Sequence, residues 1–320
     1  MQVPPVAQRT VLVLGARGTV GSEVTRALLG KDARVRVYTR SSTGLNHLPD
    51  TVERLVGDVG DAAGLRRAVD GVASVFYSSP HEADEVRLAE NVVEACEAAG
   101  ARLVFVGVHA DGPNRLERAL KRRVFSRYAP HYREKLVISE RVRRSRANPV
   151  VLMPSNFIQN DELFREQLLE GIFSQPLGHK GHNRVDVRDI GDAAARAMLD
   201  PSIPSGTHPV FGPASFSGPA CAAVWSAALG REVRYTGDDA RTWERPLREQ
   251  LSGRKQEDFL QTYRIISTVS TVTDPRIVER TTQLLGHPPR GYGEYVREAI
   301  SRWRGAGRRE PHHDHQASNA

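Results

Sequence analysis

The feature that most constrains this chain is an apolar run that breaks into three spaced glycines and then a helical pattern. Val11-Leu12-Val13-Leu14 is continuous and apolar, as in a strand covered on both faces. Gly15-Ala16-Arg17-Gly18-Thr19-Val20-Gly21 follows directly, and Val20, Val24 and Leu28 then recur at a spacing of four, which predicts a helix running to Gly30. A helix N-terminus presents free N–H groups and a positive dipole end, and a Cβ on the turn would hold a diphosphate away from them. The third glycine permits close packing of helix on strand. A tight turn without a ligand uses the same residues. The strand–turn–helix setting favours the other reading, a dinucleotide whose phosphates bind at Gly15, Arg17, Gly18, Thr19, Val20 and Gly21.

The rest of the first 150 residues repeats the alternation. Strands are expected at Arg34–Tyr38, Thr51–Val56, Val75–Tyr77, Leu103–Val106 and Val150–Met153. Between them lie a short helix from Asp61, its N-cap, to Val69, and a long one over Glu82–Ala99 with Val86, Ala89, Val93 and Cys96 on its apolar face. Strand, crossover helix, strand, repeated, gives an α/β fold with a doubly wound parallel sheet. Ligands of such sheets sit beyond the carboxyl ends of the strands. That rim carries the glycine turn, Thr39–Ser42, Asp58, Ser78–Pro80, Gly107–Ala110 and Pro154–Phe157.

The end of strand two distinguishes two cofactors. An NAD site usually carries Asp or Glu there for the ribose 2′-hydroxyl. This chain has Thr39-Arg40-Ser41-Ser42, and Arg17 lies inside the glycine turn. Two guanidiniums and hydroxyls suit a 2′-phosphate, so NADP (NADPH) is expected over NAD. Asp58 can accept from the adenine amino group while Val59 packs on the ring; a plain turn aspartate is the alternative.

Beyond Pro154 a helix is expected at Asp189–Leu199, with Asp189 as its N-cap and domain organiser. A strand at Thr207–Phe211 follows, then a helix at Ser217–Leu229 closed by Gly230, a short strand at Glu232–Tyr235 and mostly helix to Trp303. Residues 305–320, with His312, His313 and His315, read as a polar disordered tail rather than a metal site.

Composition excludes several classes. Hydrophobic residues at 39% and charged residues at 26% are globular values. No apolar run nears a membrane span, and Met1-Gln2-Val3-Pro4-Pro5 does not open a secretory signal. Cys96 and Cys221, without a CxxC partner, read as buried thiols of a reducing cytoplasm, where the protein is expected. The formal charge of +7 favours anionic ligands, but only five of the 45 basic residues are lysine, a skew that reflects coding bias better than nucleic-acid binding. Asn114–Arg133 is densely basic, with Phe125, Tyr128 and Tyr132 interleaved. It reads as a solvated helix or a lid; no DNA-binding motif accompanies it.

Together these residues resemble the NmrA-like, isoflavone-reductase-like proteins, the atypical short-chain dehydrogenases. VLVLGARGTVGSEV (11–24), with GxxGxxG rather than GxGxxG spacing, is similar to their opening. So are GDVGD (57–61), the helix near Asn91–Gly100, LVFVGV (103–108), VVLMPSNFIQN (150–160) and VDVRDIGDAAARAML (185–199). THPVFGPASFS (207–217), ALGREVRY (228–235) and GHPPRGYGEYVRE (286–298) complete the likeness. It implies a Rossmann domain at residues 7–153, completed by about 185–213, with a smaller, mainly C-terminal substrate lobe at 154–184 and 214–304 over the nicotinamide, and the preference for NADP(H) of many members. Some members reduce quinones, enones or aromatic natural products; others bind the cofactor as redox-sensing regulators.

Short-chain dehydrogenases commonly use Tyr-x-x-x-Lys on a helix, where the Lys lowers the phenol pKa. Here His131-Tyr132-Arg133-Glu134-Lys135 puts Tyr132 three residues before Lys135 and His131 four before it, so that register is absent. The resemblance implies that Lys135 binds the nicotinamide ribose and assists proton transfer, with His131 a candidate proton donor. A solvated helix face is the alternative for both. Ser79, Ser155, Asn156 and Phe157 complete the candidate cofactor and substrate rim. The expectation is an NADPH-dependent oxidoreductase acting on a carbonyl or activated double bond of a small, ring-containing molecule, as a monomer or homodimer free of membrane and nucleic acid. The competing expectation is a non-catalytic NADP(H) sensor with a protein partner.

Overall fold

The structure, a computed structural model, describes residues 9–108 and 132–306. The chain opens as β1 (Arg9–Leu14), α1 (Thr19–Leu28), β2 (Ala33–Thr39), β3 (Glu53–Val56), α2 (Ala62–Val69), β4 (Ser74–Ser78), α3 (Glu85–Ala99) and β5 (Arg102–Val106). After the undescribed stretch come α4 (Tyr132–Arg143) and β6 (Val150–Pro154). The Rossmann-type sheet has seven strands in the order β10-β6-β5-β4-β1-β2-β3, and every adjacent pair is parallel. Its seventh strand, β10 (Gly206–Val210), joins only after the chain has made most of the second lobe. Strand order reverses between β1 and β4, which opens a crevice above their carboxyl ends.

Burial explains why these runs are strands. Along β1, Val11 and Val13 face one layer and Leu12 and Leu14 the other, all within 1% of full burial. The first layer is α1 with α6 (Val187–Leu199) and α10 (Pro275–Leu285), joined through Val24, Leu28, Ile190, Ala194 and Leu284. The second is α2, α3 and α4, joined through Leu65, Val92, Cys96 and Val142. Helix α1 meets α6 so closely that a Cβ on Gly191 would fall 2.8 Å from the Glu23 backbone.

Local chemistry sets the helix ends. Asp61 caps α2, accepting from Ala63 N at 3.0 Å, and Ser217 caps α7 (Gly218–Leu229), which Gly230 closes in the left-handed region. Asp186, not the expected Asp189, caps α6, accepting from Arg188 N at 2.9 Å. Asp189, one turn in, instead accepts from Arg290 N at 2.8 Å and pairs with the Arg290 guanidinium, which ties α6 to the segment before α11 (Tyr292–Ala306). The face of α3 also differs from expectation. Val86 is 38% exposed, and Glu85 lies in its place at 1%. Residues 85, 88, 89, 92, 93 and 96 form the buried stripe, and Glu85 tolerates it because α4 supplies a lysine.

The second lobe contains β7 (Asn156–Phe157), a 3-10 turn at Ile158–Phe164, α5 (Arg165–Leu169), β8 (Ile172–Phe173), β9 (His182–Val185), β11 (Ser215–Phe216), α7, β12 (Arg234–Tyr235), α8 (Ala240–Gln250), α9 (Gly253–Ile266) and α11. Trp225 and Trp303 stack at 5.1 Å in its core. Asp161 and Arg184, both wholly buried, pair at 2.7 Å. Trp225 Nε1 donates to the same carboxylate at 3.0 Å, and the Tyr292 hydroxyl also donates to it, at 2.5 Å.

Candidate functional site

The glycine turn is built for close approach. Gly15 has φ +73°, and Gly18 N–H donates to its carbonyl at 2.9 Å to close the turn. A Cβ on Gly21 would fall 2.2 Å from Gly15 O, so helix and turn touch through glycine alone. Gly18 is the N-cap of α1, and no side chain among the described residues caps the helix. The amides of Thr19, Val20 and Gly21 therefore form an open first turn. Gly15, Arg17, Gly18 and Thr19 are exposed, while Ala16 and Val20 are buried beneath them. This is a cradle that a Cβ would fill, and it fits a diphosphate.

Around it the expected residues take different positions. Arg17 reaches the turn after β2; its Nε lies 3.5 Å from where a Gly44 Cβ would be. Arg40 pairs with Glu82 at 3.0 Å. Asp58, exposed past β3, closes its own turn by accepting from Gly60 N at 2.6 Å, and Asn91 donates to Val59 O at 2.9 Å.

Ser79 and Lys135 meet at the crevice. Lys135 Nζ donates to Ser79 Oγ at 3.0 Å, Ser79 O at 3.2 Å, Pro80 O at 3.0 Å and Glu85 Oε2 at 2.5 Å. Its side chain is 13% exposed and that of Glu85 1%. Burial pushes the Glu85 carboxyl above its ordinary range, and the Lys135 charge opposes this. Glu85 Oε1 and the Tyr77 hydroxyl are buried without hydrogen-bond partners among the described residues. Burial, aided by the charge of Glu85, pushes the Tyr77 phenol far above its usual value.

Ser155, Asn156 and Phe157 are half-buried in the seam to the second lobe. Ser155 Oγ donates to Asn183 Oδ1 at 2.7 Å, and Arg184 donates to Asn156 Oδ1 at 3.3 Å and Phe157 O at 3.2 Å. From the far side of the crevice α9 contributes Arg254, 2.5 Å from Glu134, and Asp258, whose Oδ2 lies 2.5 Å from His81 Nδ1. His131 and the basic stretch up to it lie outside the described residues, as do residues 307–320. Both cysteines are buried, and burial pushes the thiols up, Cys96 to about 12 and Cys221 to about 11.

Sequence reasoning missed Glu85, His81, Arg254 and Asp258. Glu85 carried a signal, a carboxylate in phase with the apolar stripe at 88, 89, 92, 93 and 96. His81 carried one too, directly after Ser78–Pro80. Residues of α9 carried none, because no local pattern says which strand end a distant helix will meet.

An open helix end behind a glycine turn, at the switch point of a doubly wound parallel sheet, defines a protein of the Rossmann, dinucleotide-binding class. The chain belongs to the NmrA-like family, whose pattern it matches over residues 7–295. It is 29% identical over 231 residues to an NAD(P)H azoreductase of Xenophilus azovorans, covering 70% of this chain and 76% of that one. Triphenylmethane reductase of Citrobacter sp., solved with NADP(H), superimposes with a TM-score of 0.74 at 18% identity, covering 91% of this chain and 99% of that one. NmrA, a negative transcriptional regulator solved in complex with NADP, superimposes with a TM-score of 0.68 at 16% identity, covering 94% and 98%. No helix among the described residues is long and apolar enough to cross a membrane.

Proposed function

We propose that the chain is an NADPH-dependent reductase of a carbonyl or activated double bond in a small, ring-containing molecule. The observation that carries this reading is the uncapped α1 N-terminus held against Gly15 by Gly21, with Arg17 extended to the turn after β2. The amides of Thr19, Val20 and Gly21 would hold the diphosphate, and Arg17 with Arg40 the 2′-phosphate. Asp58 and Val59 would meet the adenine. Ser79, Lys135, Ser155, Asn156 and Phe157 would meet the ribose and ring at the other end. A bound reduced nicotinamide supplies hydride. The chain's own work is to orient the acceptor, exclude water beneath the second lobe and hold charge. Lys135, paired with Glu85, keeps one positive charge fixed at the Ser79–Pro80 backbone.

The test is twofold. NADPH should bind more tightly than NADH by fluorescence titration. NADPH should also be consumed with at least one acceptor from a panel of quinones, enones, azo dyes and triphenylmethane dyes, a range suggested by the two reductase relatives. Equal affinity for both coenzymes would refute the phosphate assignment.

One observation favours a second reading, a non-catalytic NADP(H) sensor with a protein partner. Lys135 has four acceptors within 3.2 Å, more than its three protons can satisfy, which leaves none to deliver. Tight NADPH binding with no turnover on the whole panel, and a captured protein partner, would select it.

A further inference from the structure

We propose that His81 is the proton donor of this site and that Asp258 is the residue that positions it; the proposal rests on the reductase reading above. His81 follows Ser78-Ser79-Pro80 at the carboxyl end of β4, the strand that flanks the crevice beside β1. Its Nδ1 lies 2.5 Å from Asp258 Oδ2, and Asp258 is only 4% exposed. A buried carboxylate at that nitrogen fixes the ring's orientation and keeps a proton on Nδ1. Nε2 is then the atom free to exchange a proton. Among the described residues it has no hydrogen-bond partner, and the side chain is 35% exposed. The arrangement is a histidine anchored on one side and open on the other, as general acid–base chemistry requires.

Fastening the lobes does not need this pair. Arg254 lies one turn before Asp258 on α9 and already bonds Glu134 across the same seam. Lys135 meanwhile bonds Pro80 O, the carbonyl immediately before His81, so its fixed charge lies beside the donor while its own protons are engaged. The roles divide accordingly. Lys135 holds charge and backbone, and His81 moves the proton. Asp258 is the charged group in contact with the imidazole; the other charged groups on the segments that meet here are Glu82, Asp84 and Glu85 beside His81, Glu134 and Lys135 on α4, and Arg254 and Lys255 on α9.

A bound reduced nicotinamide would supply the hydride that adds at an acceptor's carbonyl carbon. As the C=O π pair moves to oxygen, His81 would give that oxygen its Nε2 proton, so that an O–H bond forms as the N–H bond breaks, and a proton from solvent would restore the ring.

The experiment uses the full chain with NADPH and phenanthrenequinone. His81→Asn should lower kcat by roughly 100-fold or more while the NADPH Kd, read by fluorescence, stays within about twofold. In protein labelled with 15N at histidine, the Nδ1 resonance lost in His81→Asn should change position in Asp258→Asn, because its hydrogen-bond partner is then neutral, and kcat should fall while the NADPH Kd holds. Retained kcat in His81→Asn, with wild-type turnover intact, overturns the proposal and leaves the reductase reading standing. An unmoved Nδ1 resonance and an unchanged kcat in Asp258→Asn overturn the positioning role. Wild-type protein that binds NADPH yet reduces neither phenanthrenequinone nor any azo or triphenylmethane dye overturns the reductase reading, and His81 as donor falls with it.

Discussion

Two alanine substitutions in the glycine turn should behave differently, and the difference can be worked from distances. At Gly21 a new Cβ would lie 2.2 Å from Gly15 O, 2.8 Å from Gly15 C and 3.3 Å from the Ala16 Cα, all backbone atoms. Either the turn or the first turn of α1 must retreat by about 1 Å to reach ordinary contact. Overpacking of this kind costs about 1–3 kcal/mol. In a chain of this size each kcal/mol is worth about 2–4 °C in Tm. Gly21→Ala should therefore lower Tm by roughly 2–12 °C, and the displaced amides of Thr19 and Val20 should weaken NADPH by at least about tenfold. At Gly18 the new Cβ would lie 3.3 Å from Gly15 O alone, and the backbone there is extended, with φ −76° and ψ 162°. Gly18→Ala should leave the apoprotein Tm within about 2 °C. It should weaken NADPH only through steric approach to the phosphates. Thermal melts with and without NADPH, and fluorescence titration, read both effects. A Gly21→Ala protein with wild-type Tm and Kd would refute the claim that the turn and helix touch through that glycine.

Other consequences follow from individual contacts. Arg40→Ala should weaken NADPH by about 10–100-fold, the value of a charge-assisted hydrogen bond, and NADH by less than about twofold. Since Arg40 pairs with Glu82 at 3.0 Å, Glu82→Gln should strengthen NADPH, by calorimetry, and leave NADH unchanged. Asp161→Asn strands the charge of Arg184, which is fully buried, and should cost about 3–5 kcal/mol by urea unfolding. His182, 3% exposed, has its pKa held below the ordinary 6.5 by burial, and the nearby Arg184 adds to this. The unfolded chain therefore takes up the proton first. The stability contributed by a neutral His182 is complete above about pH 6.5 and is lost as pH falls below it. Melts between pH 7.5 and 5.5 should show a decline that is shallower in His182→Gln; an identical slope would refute the assignment.

The sheet was legible because its strands are buried on both faces and so read as bare apolar runs. Val11–Leu14, Leu103–Val106 and Val150–Met153 carry little else, and the glycines that end the helices need a left-handed backbone that few other residues adopt. The phase of α3 was less legible. Val86 is the better hydrophobe, but a helix chooses its face by the sum over the stripe, and Leu88 and Val92 rotate it toward Glu85. The choice of Asp186 over Asp189 as N-cap has a similar origin. Both are aspartates near the helix start, and only the distant Arg290 decides that the second is needed elsewhere.

The site divides along the same line. Its phosphate end is made by one contiguous segment whose function is a backbone shape, so seven residues declare it. Its other end is assembled from β4, α3, α4 and α9, with the charges of Lys135, Glu85, His81 and Asp258 distributed over more than 170 residues of chain. Each of these side chains alone has an unremarkable explanation as a solvated helix or loop residue. Only their pairing distances change that. A buried carboxylate needs a compensating donor, and two such carboxylates, Glu85 and Asp258, find Lys135 and His81 on either side of Pro80. Burying charge at a strand end is costly for stability alone, since apolar residues of similar volume would pack there as well or better. Retaining two such pairs at the crevice of a dinucleotide fold is what directs the search for chemistry to the Ser79–Glu85 segment.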